Sequence, residues 1–169
     1  MNHTNIIIHI IFVPVILFTS FILLSNTPYI PFPAGILPFQ LHITWILAAV
    51  NSSFYILLDP VAGSLAAPLV LGAAAYGNHL CQAYGADANK WAGILQVIAW
   101  ISQFVGHGVY EKIAPALLDN LVQALLMAPF FVFLEVLFMV GYRPELKARL
   151  DASTKKARKE LEEKKSRAN

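Results

Sequence analysis

The sequence predicts an all-α, polytopic membrane bundle of four to five apolar segments ending in a charged helix. Three observations carry that reading. Hydrophobic residues make up 57% of the 169 and charged residues 13%, against about 45–50% and about 25% in an ordinary soluble domain. The charges are segregated: residues 1–142 hold two basic and five acidic side chains, residues 143–169 ten basic and five acidic. Apolar runs near the length that crosses about 30 Å of hydrocarbon recur through the first part. The chain thus divides into a membrane body, 1–142, and a charged tail, 143–169, which the concentration of Lys and Arg assigns to the cytosol. The formal charge of +2 describes that tail rather than a basic surface, and no stacking or basic-groove pattern points to nucleic acid. A single cysteine, Cys81, excludes an internal disulfide and a Cys-based zinc site.

Ile6–Leu24 is the first span, 19 residues without a formal charge. It lacks the basic start and small-residue cleavage site of a signal peptide. Pro14 predicts a kink in it, and His9 lies near its start. Ser25–Gln40 holds four prolines and reads as a loop, with Tyr29, Phe32 and Phe39 suited to the membrane interface. Leu41–Leu58 is the second span, closed by Asp59-Pro60. Asn51, Ser52 and Ser53 at its middle are expected to face other helices. Val61–Leu80 is rich in small residues and contains Pro68, Gly72 and Gly77. It reads as a closely packed helix or as a broken, re-entrant segment. A polar connection, Gln82–Lys90, follows. Trp91–Tyr110 is the next span and Ala116–Val140 the last, stopped by Gly141 with Pro144 behind it. Glu135 lies inside this last span and requires a partner. From Arg143 on, Leu146, Leu150, Ala157 and Leu161 form a thin stripe on a charged helix. Lys155, Lys156, Arg158 and Lys159 suit an anionic lipid surface or plain solvent equally.

The chemistry concentrates in Trp100–Asn120, WISQFVGHGVYEKIAPALLDN. His107 and Glu111 are four apart, hence one turn apart on one helix face. Gly106 and Gly108 let a neighbouring backbone or ligand approach the imidazole. Alternating spans bring His9 to the same membrane side as His107. Two imidazoles and a carboxylate suit a divalent metal, as in the sites of non-haem Fe(II) oxygenases. On spacing alone, hydrogen-bonded structural histidines stay open as the other reading. His79 joins the pair only if Val61–Leu80 turns back. His42 reads as interfacial and His3 as solvated. Asp119 suits capping or the orientation of a ligand histidine. Lys112 suits snorkelling or a substrate carboxylate.

These motifs resemble a known family. Asn5–His9 followed by IIFVP, QFVGHGVYEK at Gln103–Lys112, PALLDNLVQAL at Pro115–Leu125, Ala128-Pro129 and the exit at Gly141–Arg143 are similar to the yeast-type Mpo membrane 2-hydroxy fatty acid dioxygenases. The resemblance covers nearly the whole membrane body. It implies oxygen-dependent α-oxidation of a long-chain 2-hydroxy fatty acid to the acid one carbon shorter plus CO2. It further implies Fe(II) as cofactor, O2 as co-substrate, a place in phytosphingosine breakdown, and a multi-pass position in the endoplasmic reticulum membrane. The implied metal ligands are His9, His107 and His79; Glu111, Lys112 and Asp119 are the catalytic candidates. Family members carry a Tyr-His pair nine residues before the equivalent of His9, and this chain does not extend that far. The resemblance therefore implies a missing N-terminal stretch or a substitution by His3. A proton or small-molecule carrier lined by Glu111, Glu135 and the histidines, and a scaffold acting through its tail, are the competing classes. Whether the chain forms a homo-oligomer stays open. Five straight spans put the histidines and the tail on opposite sides; four spans and a re-entrant segment put them on one.

Overall fold

The structure, a computed structural model, describes residues 3–31, 41–111 and 121–168. Every described element is helical: α1 (His3–Leu24), α2 (Ile43–Leu58), α3 (Pro60–Tyr84), α4 (Ala86–Val105), a π-helical segment (Gly106–Glu111), α5 (Leu121–Met139) and α6 (Pro144–Ala168). Among the described residues, three stretches are long and apolar enough to cross a membrane: Thr4–Leu24, Pro60–Tyr84 and Ala86–Val109. At 1.5 Å per residue these reach about 32 Å or more, whereas the 16 residues of α2 reach only about 24 Å.

The first four helices form the frame. α1 and α3 run side by side in one direction: Gly77 packs on Phe21 and Ile22, and the Cys81 thiol donates to Asn26 Oδ1 at 3.2 Å. α4 runs the other way along α1. At one end Asn26 and Asn89 exchange side-chain hydrogen bonds of 2.7 and 2.9 Å. Midway Gln96 meets Thr19 and Ser20, and at the other end Gly106 lies against Asn5. α2 returns beside α3 through the Asp59-Pro60 corner. Asp59 caps α3 by accepting from the Val61 and Ala62 N–H groups, both at 3.1 Å, and Pro60 occupies the first turn, where no N–H is needed. The small residues Ala62, Ala66 and Ala74 let α3 close on Ala48 and Tyr55 of α2, with Phe21, Phe130 and Leu134 completing this core.

α5 stacks Phe130 on Tyr55, ring centroids 4.8 Å apart. It ends in paired bonds from Gly141 N–H to Phe138 C=O and from Tyr142 N–H to Leu137 C=O. Gly141 supplies the positive φ of +89° that this stop requires. Tyr142 and Arg143 then reach Asp59, at 3.0 and 2.5 Å.

Of the two readings of Val61–Leu80, the closely packed helix is the one found: it lies within the single 25-residue helix α3, with Pro68 inside. Gln82–Lys90 is not a loop, because α3 continues to Tyr84 and α4 begins at Ala86, with the direction reversed at Gly85 alone (φ +49°). Asn51 and Ser52 are buried but Ser53 is exposed. Asn51 bonds within its own helix, to Leu47 C=O and Tyr55 OH. Of the Ser25–Gln40 loop, residues 32–40 lie outside the described residues.

The direction of the helices also settles which ends meet. Asp59 lies at the end of α3 that matches the start of α1, so the tail leaves the bundle from the end that holds His9 and Gly106. The chain is at this end at Glu111 and again at Tyr142. A count of five straight spans would have separated the two.

Candidate metal centre

Two polar pairs at helical spacing build the site. Asn5 and His9 lie one turn apart on α1; Gln103 and His107 lie one turn apart where α4 passes into the π-helical segment. The wider π turn re-aims His107 relative to a continued α-helix. Gly106 allows the two helices to close, since a Cβ there would fall on Asn5 Oδ1. Among the described residues nothing lies within 4 Å of where a Cβ on Gly108 would sit, so it shows no comparable contact there.

The result is a direct meeting of imidazoles. His9 Nε2 and His107 Nε2 are 3.1 Å apart, with ring centroids 4.8 Å apart and planes at 88°. His9 Nδ1 is 2.8 Å from the Asn5 backbone carbonyl. A carbonyl only accepts, so Nδ1 carries the proton and Nε2 presents a lone pair. Two imidazole nitrogens bound to one cation at about 2.1 Å, at right angles, would stand about 3.0 Å apart. The pair therefore fits two neighbouring ligands of a divalent metal. A backbone carbonyl behind the ring, as at His9, is a kind of partner known to orient metal-binding imidazoles.

The amides beside the pair are unusual. Asn5 is 0% exposed and Gln103 6% exposed. Among the described residues, Asn5 Oδ1, Asn5 Nδ2 and Gln103 Nε2 have no hydrogen-bond partner. Sequence reasoning passed over both residues as site members. The signal available was their spacing, four residues ahead of each histidine.

Of the other candidates, the described ones fall elsewhere. Among the described residues no third His, Cys, Asp or Glu joins the pair. His79 is exposed on α3, two residues past Gly77, which packs on Ile22. Ile22 is thirteen residues from His9, about 20 Å along α1, so the fold does not bring His79 to the pair. Of Glu111 only the backbone is described, and Lys112 and Asp119 lie outside the described residues. His42 is buried at the far end, its Nδ1 3.1 Å from Thr27 C=O. Glu135 pairs with Lys147, at 3.7 Å, at the root of the tail.

The 2-hydroxy-palmitic acid dioxygenase Mpo1-like family matches residues 1–140. The chain belongs to that family. The match takes in both histidines and both amides and stops just short of the tail. Within this Mpo1-like group, the chain is 39% identical over 152 residues to the 2-hydroxy-palmitic acid dioxygenase MPO1 of Saccharomyces cerevisiae, covering 89% of this chain and 80% of the relative. No solved structure matches the chain.

Proposed function

We propose that this Mpo1-like protein is an Fe(II)-dependent dioxygenase that shortens long-chain 2-hydroxy fatty acids by one carbon, in sphingolipid breakdown at the endoplasmic reticulum membrane. The observation that carries the reading is the His9–His107 pair, with Nε2 atoms 3.1 Å apart, in a family whose yeast relative is named for 2-hydroxy-palmitic acid. One 2-hydroxy acid and one O2 balance against the shorter acid, CO2 and water. Ferrous iron, when bound, supplies the point at which the substrate and O2 meet and the electrons that activate O2. The chain's own residues position and shield. His9 and His107 would hold the iron through their Nε2 atoms, and the Asn5 carbonyl holds the His9 proton on Nδ1. Glu111, Lys112 and Asp119 complete the proposal: a carboxylate one turn from His107, a cation for the substrate carboxylate, and an acid that orients a ligand histidine. Four to five apolar segments lie in the bilayer, with the tail in the cytosol. The histidine pair shares the tail's end, so the proposed site opens toward the cytosolic face.

The test uses purified protein loaded anaerobically with Fe(II), then given 2-hydroxypalmitic acid and air. Mass spectrometry should find pentadecanoic acid only when iron, O2 and His107 are all present. Product from His107→Ala at the wild-type rate would overturn the assignment.

A further inference from the structure

Asn5 is fully buried and Gln103 nearly so, yet three of their amide atoms lack partners. Buried polar atoms in native proteins are satisfied, and the exceptions call for an absent partner. Ser52 Oγ, on α2, is unmet as well, but the three amide atoms fall beside one feature. Each amide sits one turn ahead of a histidine whose Nε2 meets the other at 3.1 Å, and Asn5 lies against the backbone next to His107. Their inventory is one acceptor, Asn5 Oδ1, and two donors, Asn5 Nδ2 and Gln103 Nε2. Exchanging the O and N of Asn5 leaves that inventory unchanged.

We propose that Asn5 and Gln103 bind the polar head of the substrate, with Asn5 Oδ1 accepting from the 2-hydroxyl and the two NH2 groups donating to the carboxylate. This rests on the reading of the site as one for 2-hydroxy acids. The complement matches: a 2-hydroxy carboxylate brings one O–H donor and several acceptor lone pairs. A plain fatty acid brings the carboxylate but leaves Oδ1 buried and unmet. A site built around a substrate hydroxyl rejects the analogue that lacks it. Asn5 is thus the residue that sets preference for the hydroxylated acid, and Gln103 serves both acids alike.

Binding tests this without turnover. Metal-free, anaerobic protein in detergent carries a fluorescent fatty acid, displaced by either 2-hydroxypalmitic or palmitic acid. Wild type should prefer the hydroxy acid by at least about tenfold, the worth of one good hydrogen bond. Asn5→Leu should bring the ratio to about one, at a melting temperature equal to or above wild type, since it removes an unmet buried amide. Asn5→Ser, too short to reach the same point, should lower the ratio in the same way and covers the case in which Asn5→Leu does not fold. Gln103→Leu should weaken both acids by a similar factor. A wild-type ratio in the Asn5 variants, unchanged affinities in Gln103→Leu, or no preference in the wild type overturns the proposal. Pentadecanoic acid production alongside an unchanged Asn5→Leu ratio would sink the head-group site and leave the oxidation standing. An intact wild-type preference without any product would sink the oxidation alone.

Discussion

At the scale of single residues, the contact between Gly106 and Asn5 governs how close His107 comes to His9. A methyl group at position 106 would fall on the Asn5 amide oxygen. Gly106→Ala is therefore expected to destabilise the protein by about 1–3 kcal/mol and to spread the imidazoles. Thermal unfolding in detergent and Fe(II) affinity together check this. Lowered iron affinity without a change in melting temperature would mean that the helices do not yield and that only His107 has moved. Gly108→Ala, facing open space, is the control and should leave both quantities near wild type.

At the scale of elements, the α2–α3 hairpin is closed by one glycine and one carboxylate. A Cβ at position 63 would run into the Tyr55 backbone, which cannot rotate away as a side chain can. Gly63→Ala should cost more than the about 1–3 kcal/mol of ordinary overpacking. Gly72→Ala, with nothing within 4 Å, should be neutral or stabilising by up to about 1 kcal/mol. Equal melting temperatures for the two variants would refute the close packing of α2 on α3. Asp59 ties this hairpin to the exit of α5. Burial works to raise its pKa, but the Ala62 N–H, the Tyr142 hydroxyl and the Arg143 guanidinium outweigh it and hold the carboxyl below its usual value. A carboxylate whose folded pKa is depressed stabilises fully above its unfolded value, about 3.9, and this contribution fades as pH falls through the folded value. Wild-type melting should therefore drop on acidification below about pH 4. Asp59→Asn should start lower, at neutral pH, and show a weaker acid dependence. An identical pH profile for the two proteins would show that the Asp59 cluster carries no linkage.

At the scale of the whole molecule, the fold puts Cys81 and the tail at opposite ends. Cys81 lies beside Asn26, while the tail departs at Asp59, beside the end that holds the histidine pair. As the chain's only cysteine, Cys81 is a built-in reporter. In sealed microsomes, protease added outside should remove the tail, and a membrane-impermeant maleimide should label Cys81 only after the vesicles are opened. Labelling of Cys81 in intact vesicles that also lose the tail would contradict the arrangement of α1 to α4.

Much of this was legible from residue order alone, for definite reasons. Hydropathy along a chain reflects the cost of placing unpaired backbone and charge in lipid, so the helical class, the apolar stretches and the break at Arg143 follow without any contact being known. The His107–Glu111 spacing likewise marks His107, because four residues select one helix face, and the alternation of spans brings His9 to the same side. Three things needed the tertiary structure. Continuity of α3 through Pro68 depended on packing against α2, which local propensity does not contain, and with it went the placement of His79 away from the pair. The end at which the tail emerges depended on Tyr142 and Arg143 finding Asp59, more than eighty residues earlier. The unmet amides of Asn5 and Gln103 became visible only once α1 and α4 had closed over Gly106, because burial and hydrogen-bond satisfaction are properties of the assembled bundle.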